Sequence, residues 1–201
     1  MFFKQFIYTI VFAVSTAAFT FTDPARSEEW KIKNNSTLNV VGKTNINSFT
    51  CSIDSYSRED TLKYESTYHF DHGIKVRGNL VIEVDEFDCK HRVMTRDLQK
   101  TLRSDEYPHM QIKFISFTKG LNDASHEDKV KGQVEIGLAG KVKNYEVNYQ
   151  IVNMGNNQLV LIGYRPVLFS DFGLKPPSKL GGIIKVENEL EVEFRMFLAR
   201  V

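Results

Sequence analysis

The stretch 186–198 constrains the chain more than any other. Val186, Leu190, Val192, Phe194, Met196 and Leu198 share one parity, while Glu187, Glu189, Glu191, Glu193 and Arg195 take the other. A period of two sustained over that length belongs to a β-strand with one buried and one wet face. The same alternation recurs in Leu38 and Val40, in Leu80, Ile82 and Val84, and in Met110, Ile112 and Phe114. Val134, Ile136 and Leu138 repeat it, as do Tyr145, Val147, Tyr149 and Ile151. Thr44, Ile46 and Ser48 continue the parity of the first of these strands. Residues 153–157, Asn-Met-Gly-Asn-Asn, form a hairpin signal. The strand that follows, 159–164, is apolar on both parities, which predicts that both faces are covered or that one meets another subunit.

One segment departs from this pattern. In residues 80–108 a strand end is followed by Val93, Met94, Leu98 and Leu102 near helical spacing, with Arg92, Arg96, Asp97, Lys100 and Arg103 for the wet side. Pro108 ends the helix. About eight strands with tight connections and one short helix predict an all-β fold, an antiparallel barrel, because closure removes exposed sheet edges. A barrel of that size is either filled by its own side chains or holds one small ligand.

Residues 1–27 read as a signal peptide and a short N-terminal segment. Lys4 precedes the apolar stretch 6–21, and Asp23-Pro24-Ala25-Arg26 follows it too soon for a membrane span. Cleavage follows Ala18 or Ser27, and no cysteine near either site invites a lipid anchor. The remaining 34–201 is read as one domain. A formal net charge of +1 with interspersed acids and bases carries no basic block, so a nucleic-acid partner is not expected. GxSxG, P-loop, HExxH and GxGxxG motifs are all absent from the sequence, which predicts a protein that is not an enzyme and needs no cofactor. His69 and His72 would form a metal site only if the turn at Asp71-Gly73 brought them together. Asp85, Glu86 and Asp88 read as a charged strand end rather than a cation site.

The chain has two cysteines, Cys51 and Cys89. In an exported protein such a pair favours a disulfide, and closing a loop of roughly 40 residues stabilises by about 3–4 kcal/mol.

Four segments carry a resemblance. FDCKHRVMTRDLQKTLRSDEYPHMQIKF (87–114), VVGKTNINSFTCSI (40–53), GLAGKVKNYEV (137–147) and SDFGLKPP (170–177), in that relation along the chain, resemble the motifs of the YceI-like periplasmic proteins. The resemblance implies a lipocalin-like barrel, periplasmic or secreted, whose long apolar pocket sequesters or carries a polyisoprenoid or similar amphiphilic lipid. It makes Phe114, Ile136, Tyr149, Phe172 and Phe194 candidate pocket-wall residues. Tyr145, Tyr149 and Tyr164 would add polar tips to the inward face. If the lipid bears a phosphate, His91, Arg92, Arg96 and Lys100, at or near a helix start, are the head-group candidates. Asp171-Phe172-Gly173 matches the family's late motif and has no kinase context. The competing expectation is a filled barrel that self-associates, as a homodimer, through 159–164.

Overall fold

The computed structural model describes residues 26–66, 73–121 and 129–201. The elements in chain order are β1 (Arg26–Ile32), β2 (Thr37–Thr44), β3 (Ser48–Ile53), β4 (Thr61–Ser66), β5 (Ile74–Glu83), α1 (Arg92–Leu102), β6 (His109–Phe117), β7 (Lys129–Leu138), β8 (Lys141–Gly155), β9 (Gln158–Leu168), β10 (Ser178–Lys179) and β11 (Ile184–Arg200). The order β1-β4-β5-β6-β7-β8-β9-β11 closes on itself because β11 also pairs with β1, and these pairings are antiparallel. The expected eight-stranded barrel with one helix is what the chain forms.

Closure depends on the length of β11. Its last residues pair with β1 (Trp30 opposite Arg200) and its earlier ones with β2 (Phe194 opposite Leu38). β1 and β2 thus act as one bent strand, broken where Ser36 turns inward and its Oγ accepts the Phe197 amide at 3.0 Å. Strand β1 (Arg26–Ile32), ahead of the boundary at residue 34 drawn from the sequence, is part of the barrel. The expected continuous strand through Ile46 is corrected too. Thr44 Oγ accepts the Asn47 amide at 2.9 Å and donates to the Asn47 side chain, so 45–47 is a turn and Ile46 is 64% exposed at its tip. A side-chain-to-backbone bond of this kind competes with the ladder and leaves no trace in hydrophobic parity.

The barrel has two distinguishable ends. One, here the helix end, carries α1, the turn 45–47, the β7–β8 turn and the β9–β11 connection. The other, the terminus end, carries the start of β1, the end of β11 and the β8–β9 turn. Helix α1 turns Leu98 and Leu102 toward the barrel, one helical turn apart, and stops where Arg103 adopts a left-handed conformation (φ 62°). Val93, expected on the apolar row, is 53% exposed. Cys51 and Cys89 are bonded, and Ser52 and Asp88 exchange two backbone hydrogen bonds of 2.9 Å beside them. Together they fix the start of α1 to β3. At its other side Lys179 pairs with Asp97 at 2.5 Å.

In the doubly apolar strand, Leu159, Val160, Leu161 and Ile162 are all buried. Tyr164 is not one of the inward tyrosines: it is 45% exposed, because Leu159, Leu161, Gly163 and Arg165 hold the inward parity of β9. Among the described residues no helix is long and apolar enough to cross a membrane. Residues 1–25, which hold most of the leader segment, and His69 and His72 lie outside the described residues.

Candidate functional site: cavities beneath the helix

The interior is packed differently along its axis. Toward the terminus end, Leu62, Phe117, Tyr149, Ile151, Leu161 and Leu198 are almost wholly excluded from solvent. Phe117 and Tyr149 meet edge to face at 5.3 Å between centroids, and Gly132 faces them; a Cβ there would fall within 2.7 Å of both rings. That glycine is needed for the close approach of two aromatics.

From the middle of the barrel to the helix end, three apolar spaces follow one another. The innermost, about 30 Å³, is walled by Leu38, Leu80, Ile112, Phe114 and Phe194 among others. The second, about 80 Å³, lies under Leu98 and Leu102 of α1 and shares Leu38, Ile112 and Phe194 with the first. The third is a crevice of about 270 Å³ between α1, the turn 45–47 and the start of β11, and it shares Leu98 with the second. Leu38, Ile112 and the Phe194 ring therefore stand between the inner two spaces, and Leu98 between the outer two. Phe194 stands opposite Gly163 in the β9–β11 ladder, and a Cβ on that glycine would lie 2.3 Å from the ring. The ring occupies its position only because β9 has no side chain there.

Around the crevice, apolar side chains face water. Ile46 and Val93 line it, and Leu180 and Ile183, 70% and 71% exposed, extend from the adjoining loop. Asn45 holds that loop to the turn 45–47: its Nδ2 donates to the Ile183 carbonyl and its Oδ1 accepts the Lys185 amide, both at 2.9 Å. Leu180 sits in the left-handed region (φ 51°), a conformation that disfavours a branched residue, and displays its side chain outward.

The expected wall residues divide. Phe114 lines the innermost cavity, Ile136 and Phe172 the second, and Phe194 both. Tyr149 lines neither; its ring is wedged between Phe117 and Phe194, and its hydroxyl is buried with no hydrogen-bond partner. Burial pushes that phenol's pKa far above the ordinary tyrosine range. The Tyr145 phenol is raised as well, by burial first and then by its 2.7 Å hydrogen bond to Asp171.

The expected head-group residues also separate. His91 stands at the N-cap position without a side-chain capping bond and lies between the crevice and an open surface depression, lining both. Arg92 and Arg96 face only the depression, with Lys90 and Gln99. Lys100 is in the last turn of α1, where a cation suits the helix dipole, rather than at the start. Among the described residues no three His, Cys, Asp or Glu side chains are placed to hold a metal ion.

Solved structures with this architecture include a polyisoprenoid binding domain from Saccharophagus degradans implicated in plant cell wall breakdown. It matches with a TM-score of 0.62 at 12% identity, over 85% of this chain and 97% of that one. BcnA from Burkholderia cenocepacia matches at 0.59 and 13% identity over 81% and 95% of the two chains. The Campylobacter jejuni YCEI protein matches at 0.51 and 14% identity over 98% and 99%. The chain has the YceI fold. No family model and no curated protein matches the sequence.

Within this YceI fold one inward residue escaped sequence reading. Arg165 lines the second cavity, where every other lining residue is apolar, and its guanidinium lies over the Tyr145 ring at 5.3 Å from the centroid. Its signal was available. It is the one charge on the inward parity of 159–167, one residue beyond the stretch read as apolar.

Proposed function

We propose that this is an exported, non-enzymatic lipid-binding protein that sequesters or carries a polyisoprenoid or similar amphiphile. The observation that carries the reading is the series of apolar spaces linked through Phe194 and Leu98, ending in a crevice with an exposed apolar rim. Ligand pockets of drug size usually occupy about 300–1,000 Å³, so each space alone is small, and a tail threads them when the Phe194 and Leu98 side chains turn aside. Apolar surface moved from water into such walls gains about 25 cal/mol per Å² with no catalytic group. The shared architecture with a polyisoprenoid binding domain supports the same reading.

Export is supported by the leader pattern of residues 1–27 and by the Cys51–Cys89 bond, which belongs to oxidising compartments. Cleavage after Ala18 leaves β1 whole, whereas cleavage after Ser27 removes its first two residues. N-terminal sequencing of the exported protein is expected to show a chain starting before Arg26.

Mass spectrometry of an organic extract from protein made in an oxidising compartment tests the binding reading. A stoichiometric isoprenoid or related lipid is the expected result. An extract without lipid, from protein that also fails to take up added polyprenol in native mass spectrometry, refutes it.

A further inference from the structure

Among the described residues, Arg165 and Arg200 hold inward positions in the barrel, and of these two Arg200 has a counter-ion and Arg165 has none. At the terminus end Arg200 pairs with the buried carboxylate of Glu28 at 3.4 Å, and Tyr64 donates its hydroxyl to the same carboxylate. At the helix end Arg165 makes no ion pair, its Nε is buried without a partner, and its only marked contact is the face of Tyr145. The nearby carboxylate, Asp171, accepts the Tyr145 hydroxyl and makes no ion pair with Arg165. Arg165 is only partly buried, but its Nε, shut off from water behind apolar walls, loses hydration that an aromatic face only partly replaces. It regains most from a planar or tetrahedral oxyanion, to which it presents paired donors.

We propose that Arg165 is the recognition residue for an acidic head group, so that the ligand is an amphiphile ending in a carboxylate or a phosphate. This rests on the lipid-binding reading and narrows it. The direction follows from the register. Tyr145 stands opposite Val134 and Val147 opposite Gly132, so Tyr145 lies nearer the helix end than the Val147 level, and Arg165 leans over its ring. The head group sits under α1, close to the crevice, and the tail runs inward past Phe194 into the innermost space. The surface basic residues Arg92 and Arg96 play no part, since they face the depression outside the helix. The alternative is that Arg165 merely lays its carbon chain along the wall and sends its charge to water.

Three ligands with one tail and different heads separate these cases: geranylgeranoic acid, geranylgeranyl phosphate and geranylgeraniol, titrated by native mass spectrometry. The intact protein is expected to hold at least one of the two acids about tenfold or more tighter than the alcohol, the scale of a charge-assisted pair. Whether carboxylate or phosphate binds tighter identifies the head. Arg165→Gln is expected to abolish the gap between acid and alcohol, and Arg165→Lys, which keeps the charge without the fork, to retain part of it. Equal affinity for acids and alcohol in the intact protein overturns the assignment while leaving the lipid-binding reading intact. A gap that survives Arg165→Gln overturns it as well. Failure to bind any of the three overturns the assignment, and together with failure to take up added polyprenol it overturns both.

Discussion

The two halves of the barrel are built from the same strands and end up as different materials. Toward the terminus end the inward side chains are large and interlocked, and the buried Glu28 has a base and a hydroxyl beside it. Toward the helix end the inward positions are mostly aliphatic, the roof is a short helix instead of a neighbouring sheet, and an arginine is left without an acid. One half resembles an ordinary protein core at crystal-like density, and the other a container. The question that alternation alone leaves open, filled or hollow, has a different answer in each half. The filled half can hold the fold together while the half with spaces would give way to the guest proposed above.

The largest effect is expected where the container is fastened. Replacing both cysteines, C51S/C89S, should lower the unfolding free energy by about 3–4 kcal/mol, measured by urea titration. The loss of hydrogen-exchange protection should be greater over 92–102 than over β9. Equal loss in both regions would show that the bond serves the whole barrel and not the helix.

The next test applies one substitution to both arginines. Arg200→Met removes the base of the Arg200–Glu28 pair and should cost up to about 3 kcal/mol, the scale for breaking a buried pair. Arg165→Met removes a charge with no partner and should change stability by less than about 1 kcal/mol, or raise it. Similar losses at both sites would erase the electrostatic difference between the ends. Gly163→Ala comes third. The added methyl forces the Phe194 ring into the cavities, and overpacking of this kind costs about 1–3 kcal/mol. It should also weaken binding of long tails more than short ones, which a chain-length series in native mass spectrometry would read.

The smallest effect belongs to the filled half. Tyr149→Phe removes a buried hydroxyl with no partner and is expected to stabilise by about 1 kcal/mol. Because burial raises the folded-state pKa of Tyr149 above its unfolded value, its share of stability is intact below about pH 10 and declines above it as the unfolded chain ionises. Denaturation midpoints of the Phe variant should therefore fall less between pH 9 and pH 11, taken as about one unit either side of the tyrosine pKa.

Much of this architecture can be read from parity, and its failures are instructive. β11 and α1 stand out because long, regular patterns survive the noise of single residues. β1 does not, because Glu28 holds an inward position and makes Glu28, Trp30 and Ile32 look like a polar-apolar mixture. The turn at 45–47 hides because Ile46, at its tip, keeps the parity of the strand before it. Parity names the inward face without saying whether a residue borders space or fills it, which is why Tyr149 and Phe194, both inward and both opposite Gly163, could not be told apart. The charged residues near the helix drew attention as head-group partners because they are numerous, whereas Arg165 is alone. An isolated charge on an apolar parity carries more information than a cluster on a wet helix.

In a barrel that holds a tail as proposed, the pairing of Phe194 with Gly163 would act as a ruler. The Phe194 ring, with Leu38 and Ile112, stands between the innermost space and the one beneath the helix. The number of carbons taken up would then be set in part by one side-chain rotation on β11, permitted by one missing side chain on β9.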